Sequence, residues 1–196
     1  CGNGKVKVEV QGANATAPYE CHDCTMGRYN DQGSVAQSCK TCESGYFAPV
    51  AGASSCTACG KGKYNKEEGS SMLGSCKNCP AGTYSSAKGV GHVNDCNACA
   101  AGKKNPVEGS TNSSACVSCE ANFKAAEPGS FNCTPCGAGK YSEPGSSKCT
   151  ACEAGSYSDV VGQDCQACDA GQYRSSKDAA GVDTDPTKCL QCPAGT

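Results

Sequence analysis

Twenty of the 21 cysteines in this 196-residue chain stand in Cys-x-x-Cys pairs, a spacing that serves three kinds of chemistry. The pairs are Cys21/Cys24, Cys39/Cys42, Cys56/Cys59, Cys76/Cys79, Cys96/Cys99, Cys116/Cys119, Cys133/Cys136, Cys149/Cys152, Cys165/Cys168 and Cys189/Cys192, with Cys1 outside them. Two thiols so spaced can close on each other as a redox couple, supply half of a tetrahedral zinc site, or bridge to other cysteines as structural disulfides. Cys56 to Cys79 reads Cys-x2-Cys-x16-Cys-x2-Cys, which fits zinc. Zinc sites consume pairs two by two, so separations within and between sites should alternate. Here they run through 13, 14 and 17 without alternating, and Cys1 would be stranded. Disulfides are the expected state, with no metal and no other cofactor.

No other chemistry competes. His22 and His92 are the only histidines, neither stands in a ligand or nucleophile constellation, and no phosphate-binding loop is present, so no catalytic residue and no enzyme activity are expected. Asp178, Asp183 and Asp185 in the long last loop lack the ligand spacing of a calcium loop. Asn14-Ala15-Thr16, Asn112-Ser113-Ser114 and Asn132-Cys133-Thr134 match the acceptor pattern for N-glycosylation, making Asn14, Asn112 and Asn132 candidates for covalent glycans.

The residues around the cysteines recur with them. First cysteines step by 18, 17, 20, 20, 20, 17, 16, 16 and 24 residues, a tandem repeat. Three residues after the second cysteine stand Gly27, Gly45, Gly62, Gly82, Gly102, Gly139, Gly155, Gly171 and Gly195, with Asn122 as the exception. Asn tolerates the left-handed conformation that Gly permits, so the position predicts a positive φ. Two residues further come Tyr29, Phe47, Tyr64, Tyr84, Tyr141, Tyr157 and Tyr173, interrupted by Lys104 and Lys124. These rings are expected to pack over the adjacent disulfide. A second Gly, such as Gly52, Gly69 or Gly162, turns the chain back, so each unit reads as a short strand, a tight turn and a second short strand.

The organisation follows: a first loop over 1–20, tandem repeats over 21–192 starting near 21, 39, 56, 76, 96, 116, 133, 149, 165 and 189, and a further repeat beginning at 193–196. That last expectation rests on Cys192-Pro193-Ala194-Gly195-Thr196, which copies Cys79-Pro80-Ala81-Gly82-Thr83. In the first loop, Lys5-Val6-Lys7-Val8-Glu9-Val10 alternates as a strand over 5–10, with Val6, Val8 and Val10 expected to pack within their own unit.

Composition agrees. Leu, Ile, Val and Phe together number 17, with no Ile and no Trp. Burying such a side chain gains roughly 1.5–3 kcal/mol, while ordering each backbone residue costs about 1–2 kcal/mol, so burial alone cannot hold the chain. A Rossmann or barrel enzyme and a helical bundle are excluded. The 17 basic and 19 acidic residues give a net charge of −2, read as evenly spread, which leaves no footprint for nucleic acid. No apolar stretch approaches the roughly 20 residues of a membrane span.

Three pairing schemes treat all units alike. Bridging within Cys-x-x-Cys closes only tiny rings, a crossed scheme joins first to first and second to second and leaves Cys1 unmatched, and a ladder joins each second cysteine to the next first one, giving Cys1 a partner in Cys21 and leaving Cys192 over. The unit itself resembles the cysteine-rich repeats of tumour necrosis factor receptor and ephrin-receptor-like ectodomains, on Cys42-Glu43-Ser44-Gly45-Tyr46-Phe47 through Cys56-Thr57-Ala58-Cys59 and on Cys79-Pro80-Ala81-Gly82-Thr83-Tyr84 through Cys96-Asn97-Ala98-Cys99. Its uniform repetition and richness in Gly, Ala and Ser are similar to surface antigens and coat proteins of ciliates and other protists. In the receptor repeats, the segment from the cysteine before the Gly-aromatic motif to the next cysteine is one disulfide-closed module. The resemblance therefore implies the ladder, from Cys1 with Cys21 to Cys168 with Cys189.

The expected fold is small, disulfide-rich, mostly β and irregular with almost no helix: a linear array of about ten short disulfide-closed repeats forming an elongated rod, each touching only its neighbours. The expected function is a non-enzymatic extracellular structural repeat, a rod, stalk or filament subunit of a cell-surface coat or appendage. The partners would be copies of itself or neighbouring repeats of a longer chain, with glycans attached and no nucleic acid. The alternative is a receptor or adhesion ectodomain binding a protein or glycan along one face, for which Lys103, Lys104 and Lys124 give the middle units a distinct surface.

Overall fold

Nine of the ten Cys-x-x-Cys pairs are split between two modules: the first cysteine closes the module behind, and the second opens the module ahead. The computed structural model, which describes residues 1–10, 19–33, 38–175 and 185–193, has the bridges Cys1–Cys21, Cys24–Cys39, Cys42–Cys56, Cys59–Cys76, Cys79–Cys96, Cys99–Cys116, Cys119–Cys133, Cys136–Cys149, Cys152–Cys165 and Cys168–Cys189. We number modules 1 to 10 by these bridges. Cys192 has none and is exposed.

The local reason for the split is that the two residues inside each pair form a strand. Lys77–Asn78, between Cys76 and Cys79, pairs antiparallel with Lys63–Tyr64 in the register Lys63↔Asn78 and Tyr64↔Lys77. The same two-residue pairing joins Arg28–Tyr29 to Lys40–Thr41, Tyr46–Phe47 to Thr57–Ala58, Lys103–Lys104 to Val117–Ser118, Lys140–Tyr141 to Thr150–Ala151 and Gln172–Tyr173 to Leu190–Gln191. In an extended segment, side chains three residues apart point to opposite faces. The first sulfur of a pair therefore turns back into its own module and the second turns away.

Loop length sets the rest of each module. Modules 4, 5 and 6 each span 17 residues between half-cystines, against 13 or 14 in modules 3, 7, 8 and 9. The excess is one turn of 3-10 helix, at Leu73–Ser75, Val93–Asp95 and Ser113–Ala115. These turns are the helical structure assigned to whole elements among the described residues.

The chain divides into two compact units, residues 1–97 with 108–113 and residues 98–107 with 114–196. Inside each, successive modules are joined by the same backbone bonds. Between modules 3 and 4, Gly45 N–H donates to Asn65 O (2.7 Å), Ala48 N–H to Ser70 O (2.9 Å) and Gly69 N–H to Cys42 O (2.8 Å). Between modules 4 and 5, Gly62 donates to Ser85 O, Asn65 to Val90 O and Gly89 to Cys59 O. In the second unit, Gly102 donates to Ala125 O, Asn105 to Ser130 O and Gly129 to Cys99 O. These bonds satisfy backbone groups that a chain with so little regular structure would otherwise bury unpaired.

At the centre of this lattice is the residue after the aromatic position. Asn30, Ala48, Asn65, Ser85, Asn105, Ala125, Ser142, Ser158 and Arg174 are all buried. Two of these side chains stitch modules together, Asn65 Nδ2 donating to Tyr46 O of the preceding module (3.2 Å) and Ser142 Oγ to Phe123 O (2.9 Å), whereas Ser85 and Ser158 donate to Ala87 O and Val160 O within their own modules. Asn65 also donates to Ser70 Oγ and Glu67 O and accepts from Glu67 N–H. Replacing Asn65 by Ala leaves several buried groups without partners and is expected to cost about 1–3 kcal/mol. Lys66→Ala beside it, on an exposed side chain, is expected to fall within about 0.5 kcal/mol. Urea unfolding of the oxidised protein measures both.

Apolar burial is confined to the bridges and their neighbours. Phe47 of module 3 packs with Cys59 and Cys76, the disulfide of module 4. The ring positions are not uniformly covered, however, since Phe47 is buried, Tyr29, Tyr64, Tyr84, Tyr141 and Tyr157 are half-buried and Tyr173 is exposed.

Two expectations are corrected. The first strand is Lys5–Glu9, one residue shorter than expected, paired with Tyr19–Asp23, and its valines do not share a core: Val6 is half-buried, while Val8 and Val10 are exposed. The bridge holds this hairpin where Lys7 faces Cys21, and Val8 and Val10 lie beyond that point. Contacts also reach past the adjacent module. A Cβ at Gly27 of module 2 would collide with Gly69 O of module 4, one at Gly45 with Gly89 O of module 5, and one at Gly102 with Gly145 O of module 8. The first glycine is thus required twice, by a φ of +72 to +86 at Gly27, Gly45, Gly62 and Gly102, and by the backbone two modules away.

Candidate functional site

Three depressions among the described residues lie at joints between modules, and a smaller one lies within module 10, lined by Arg174, Ser175, Asp185, Lys188 and Leu190. One depression, of 240 Å³, is lined by Tyr29, Glu43, Tyr46, Ser55 and Cys56 at the joint of modules 2 and 3. A second, of 140 Å³, has Lys104, Glu120, Phe123 and Cys133 at the joint of modules 6 and 7. A third, of 370 Å³, has Tyr141, Glu143, Glu153, Ser156, Asp164 and Cys165 at the joint of modules 8 and 9. The lining positions of the three correspond. Each takes the ring position of one module, then the Glu after the opening cysteine, the residue after the left-handed position and the closing half-cystine of the next. Two of the three fall short of the roughly 300–1,000 Å³ of small-molecule sites. Their aromatic and carboxylate walls suit a single projecting side chain or sugar ring.

The other sequence candidates are dispersed. His92 is exposed and caps the turn Val93–Asp95: its Nδ1 accepts from Asn94 N–H (3.1 Å), and its own N–H donates to Asp95 Oδ2 (3.1 Å). His22 stands on the exposed second strand, 3.3 Å from Glu20. Asp185 accepts from the hydroxyl and amide of Thr187; these bonds, with Lys188 3.3 Å away, hold its carboxyl below the usual range. Asp178 and Asp183 lie outside the described residues. Those residues contain no cluster of three His, Cys, Asp or Glu able to hold a metal. Asn112 is exposed directly before the turn Ser113–Ala115, and Asn132 is exposed next to the bridged Cys133; Asn14 lies outside the described residues. Lys103 is exposed, Lys104 lines the second depression, and Lys124 is half-buried on its strand.

Three structural positions escaped sequence reasoning. The buried residue after the ring has its signal in the recurrence of Asn, Ser and Ala there. Gly4, with φ +80, is the left-handed glycine of module 1, three residues after Cys1, and Val6 takes the place of the ring. Counting from Cys1 as an opening cysteine would have found both. Arg174 is buried at the position that is small elsewhere, and its Nη1 and Nη2 both donate to Cys152 O at 3.0 Å. In modules 8 and 9 the bond to the equivalent carbonyl is Gly162 N–H to Cys136 O.

The family profile described as tyrosine-protein kinase ephrin type A/B receptor-like matches residues 32–73 and 139–183, which cover modules 3 and 9, most of module 8 and parts of their neighbours. A search of curated proteins finds no match. No helix among the described residues is long and apolar enough to cross a membrane. Disulfides persist in oxidising compartments, and repeats of the matched kind point to an extracellular or secreted ectodomain. The bridge ladder, the left-handed residue three positions after each opening cysteine and the two matched segments, which together span less than half of the chain, fit a tandem array of cysteine-rich repeats similar to those of the ephrin-receptor-like and tumour necrosis factor receptor type.

Proposed function

We propose that the chain is a non-enzymatic structural repeat of the cell exterior, a rod, stalk or filament subunit in a surface coat or appendage. The observation that carries this reading is the recurrence of the same backbone bonds from joint to joint within each unit, which lets a module be added without redesign. Depressions of one-side-chain size and an interior made of bridges fit a scaffold better than a reaction vessel. A compact globule of this length would have a radius of gyration of about 16 Å. Small-angle scattering of the monomer is expected to give a clearly larger value and an elongated distance distribution; a globular profile would reject the rod.

A receptor or adhesion ectodomain is the second reading, favoured by the aromatic and carboxylate lining at Tyr29, Glu43 and Tyr46. Glycans at Asn14, Asn112 and Asn132 belong to either reading. Protein expressed through a secretory pathway is expected to lose mass on enzymatic deglycosylation, and an unchanged mass would remove all three.

A further inference from the structure

The three joint depressions share their lining positions, and the residues that fill those positions point to one class of ligand. The ring position is Tyr29 at the joint of modules 2 and 3, Lys104 at that of 6 and 7, and Tyr141 at that of 8 and 9. The glutamate after the next opening cysteine is Glu43, Glu120 or Glu153, and the residue after the left-handed position is Tyr46, Phe123 or Ser156. Each depression lies inside a single compact unit, so each is a site by itself. At the joint of modules 6 and 7 the chain places a cation of its own, Lys104, in the depression that holds Glu120, where the other two joints have a tyrosine.

The other two depressions have no Lys or Arg among their described lining residues. Their carboxylates, Glu43 at one and Glu143, Glu153 and Asp164 at the other, are exposed, and none is in an ion pair among the described residues. Tyrosine rings of this chain already draw ammonium groups: Lys7 Nζ lies 4.0 Å from the ring centroid of Tyr19, and Lys40 Nζ 5.7 Å from that of Tyr29. Lys40 is tied to Asp31 at 2.8 Å and does not pair with Glu43. The walls are held in place. Gly89 of module 5 packs against the hydroxyl end of Tyr46 and leaves no room for a Cβ there, and Asp164 Oδ1 accepts from the buried Asn122 Nδ2 at 2.8 Å. Ser156 Oγ donates to Glu153 O at 2.8 Å, so that its hydrogen is already taken up within the chain.

We propose that the depressions at the joints of modules 2 and 3 and of modules 8 and 9 each receive one arginine or lysine side chain from a basic segment of a partner protein, its charged head against the carboxylate and the tyrosine ring. An ionised carboxylate only accepts hydrogen bonds, so these walls call for a ligand that donates. A sugar hydroxyl both donates and accepts, whereas a guanidinium or ammonium group only donates, carries the complementary charge and is attracted to the face of a tyrosine ring. Among the described residues no three His, Cys, Asp or Glu gather closely enough to hold a metal ion, and carboxylates spaced as they are at the joint of modules 8 and 9 suit a cation whose donors are spread over several atoms. The joint of modules 6 and 7 shows the same preference met from within the chain, by Lys104. The inference goes beyond the rod reading and does not depend on it, since a stalk and a receptor can both carry such a contact.

Amide chemical shifts of the whole oxidised chain, titrated with the capped peptides Gly-Arg-Gly and Gly-Lys-Gly and with a Gly-citrulline-Gly control of the same shape and no charge, test this. Saturable shifts are expected with the two cationic peptides around Glu43 and Tyr46 and around Glu153 and Ser156, none around Glu120 and Phe123, and none anywhere with citrulline. Glu43→Gln is expected to weaken binding at the first site by about threefold or more and leave the other unchanged, and Glu143→Gln/Glu153→Gln to do the converse. Lys104→Tyr is expected to add a third response, around Glu120. All four positions are on the surface or half-buried, and unchanged bridges and near-ultraviolet spectra check that each variant is folded. Absence of saturable shifts with the cationic peptides, equal shifts with citrulline, affinities unmoved by the Gln variants, or a Lys104→Tyr chain without the third response would each overturn the inference. Shifts at the same residues with N-acetylglucosamine and none with the peptides would give the depressions to a glycan instead. Scattering reads the rod separately, so a rod that binds no cationic peptide defeats this inference and leaves the proposed function standing.

Discussion

Reduction and alkylation of the oxidised chain under otherwise native conditions is expected to abolish its fold, with loss of near-ultraviolet circular dichroism and of amide protection throughout. Ten bridges close loops with sequence separations of 13 to 21 residues. On a chain-entropy basis each stabilises by about 3 kcal/mol. Against this, the buried apolar side chains other than the half-cystines are, among the described residues, Phe47, Ala48, Val90 and Ala125. Even the cluster around Phe47 is two-thirds disulfide, so it disperses when Cys59 and Cys76 are reduced. Folded proteins exceed their unfolded states by only about 5–15 kcal/mol in total, less than the sum the bridges supply. A reduced, alkylated chain that still unfolds cooperatively would show that the backbone lattice between modules holds by itself.

The second large effect is expected from one methyl group. Gly62→Ala would place a Cβ into the carbonyl of Gly109, two modules on, at a residue whose φ is +72. The conformational cost for a non-glycine residue there is about 1–2 kcal/mol. The collision is with backbone fixed by Gly109 N–H donating to Cys79 O, and cannot be relieved by turning a side chain. The total is expected to be about 4 kcal/mol or more, in the range reserved for strain at special backbone positions. Gly155→Ala is the control: φ is +77, but nothing lies within 4 Å of the new Cβ, so only the conformational cost of about 1–2 kcal/mol applies. Chemical denaturation of the oxidised variants compares them. Equal costs at the two sites would mean that the contact between modules two apart is absent in solution.

Much of the module was legible because its determinants are local. The left-handed position shows in Gly27, Gly45 and Gly62, and Asn122, the non-glycine there, has a φ of +66. The hairpin shows in the ring before a turn and the residues between paired cysteines. The contacts two modules away were not legible, because their sequence signal is the same glycine that positive φ already explains. Arg174 was equally hidden: nothing near it in sequence reveals that Cys152 O, 22 residues earlier, needs a donor. The three depressions combine the end of one module with the start of the next, a joint that no single repeat contains.

The sequence by itself determined the class of molecule and its unit. A chain with 21 cysteines, 17 residues of Leu, Val and Phe and no Ile has cross-linking as its main source of order, and a φ preference or a two-residue strand is settled by the residues that carry it. Tertiary structure alone decided which carbonyl each left-handed amide meets, that the residue after the ring position is enclosed, and that modules two apart are in contact. Those facts depend on the rise and rotation from one module to the next. That geometry is fixed jointly by bridges, turns and backbone bonds from different modules, so it exists only once they have packed.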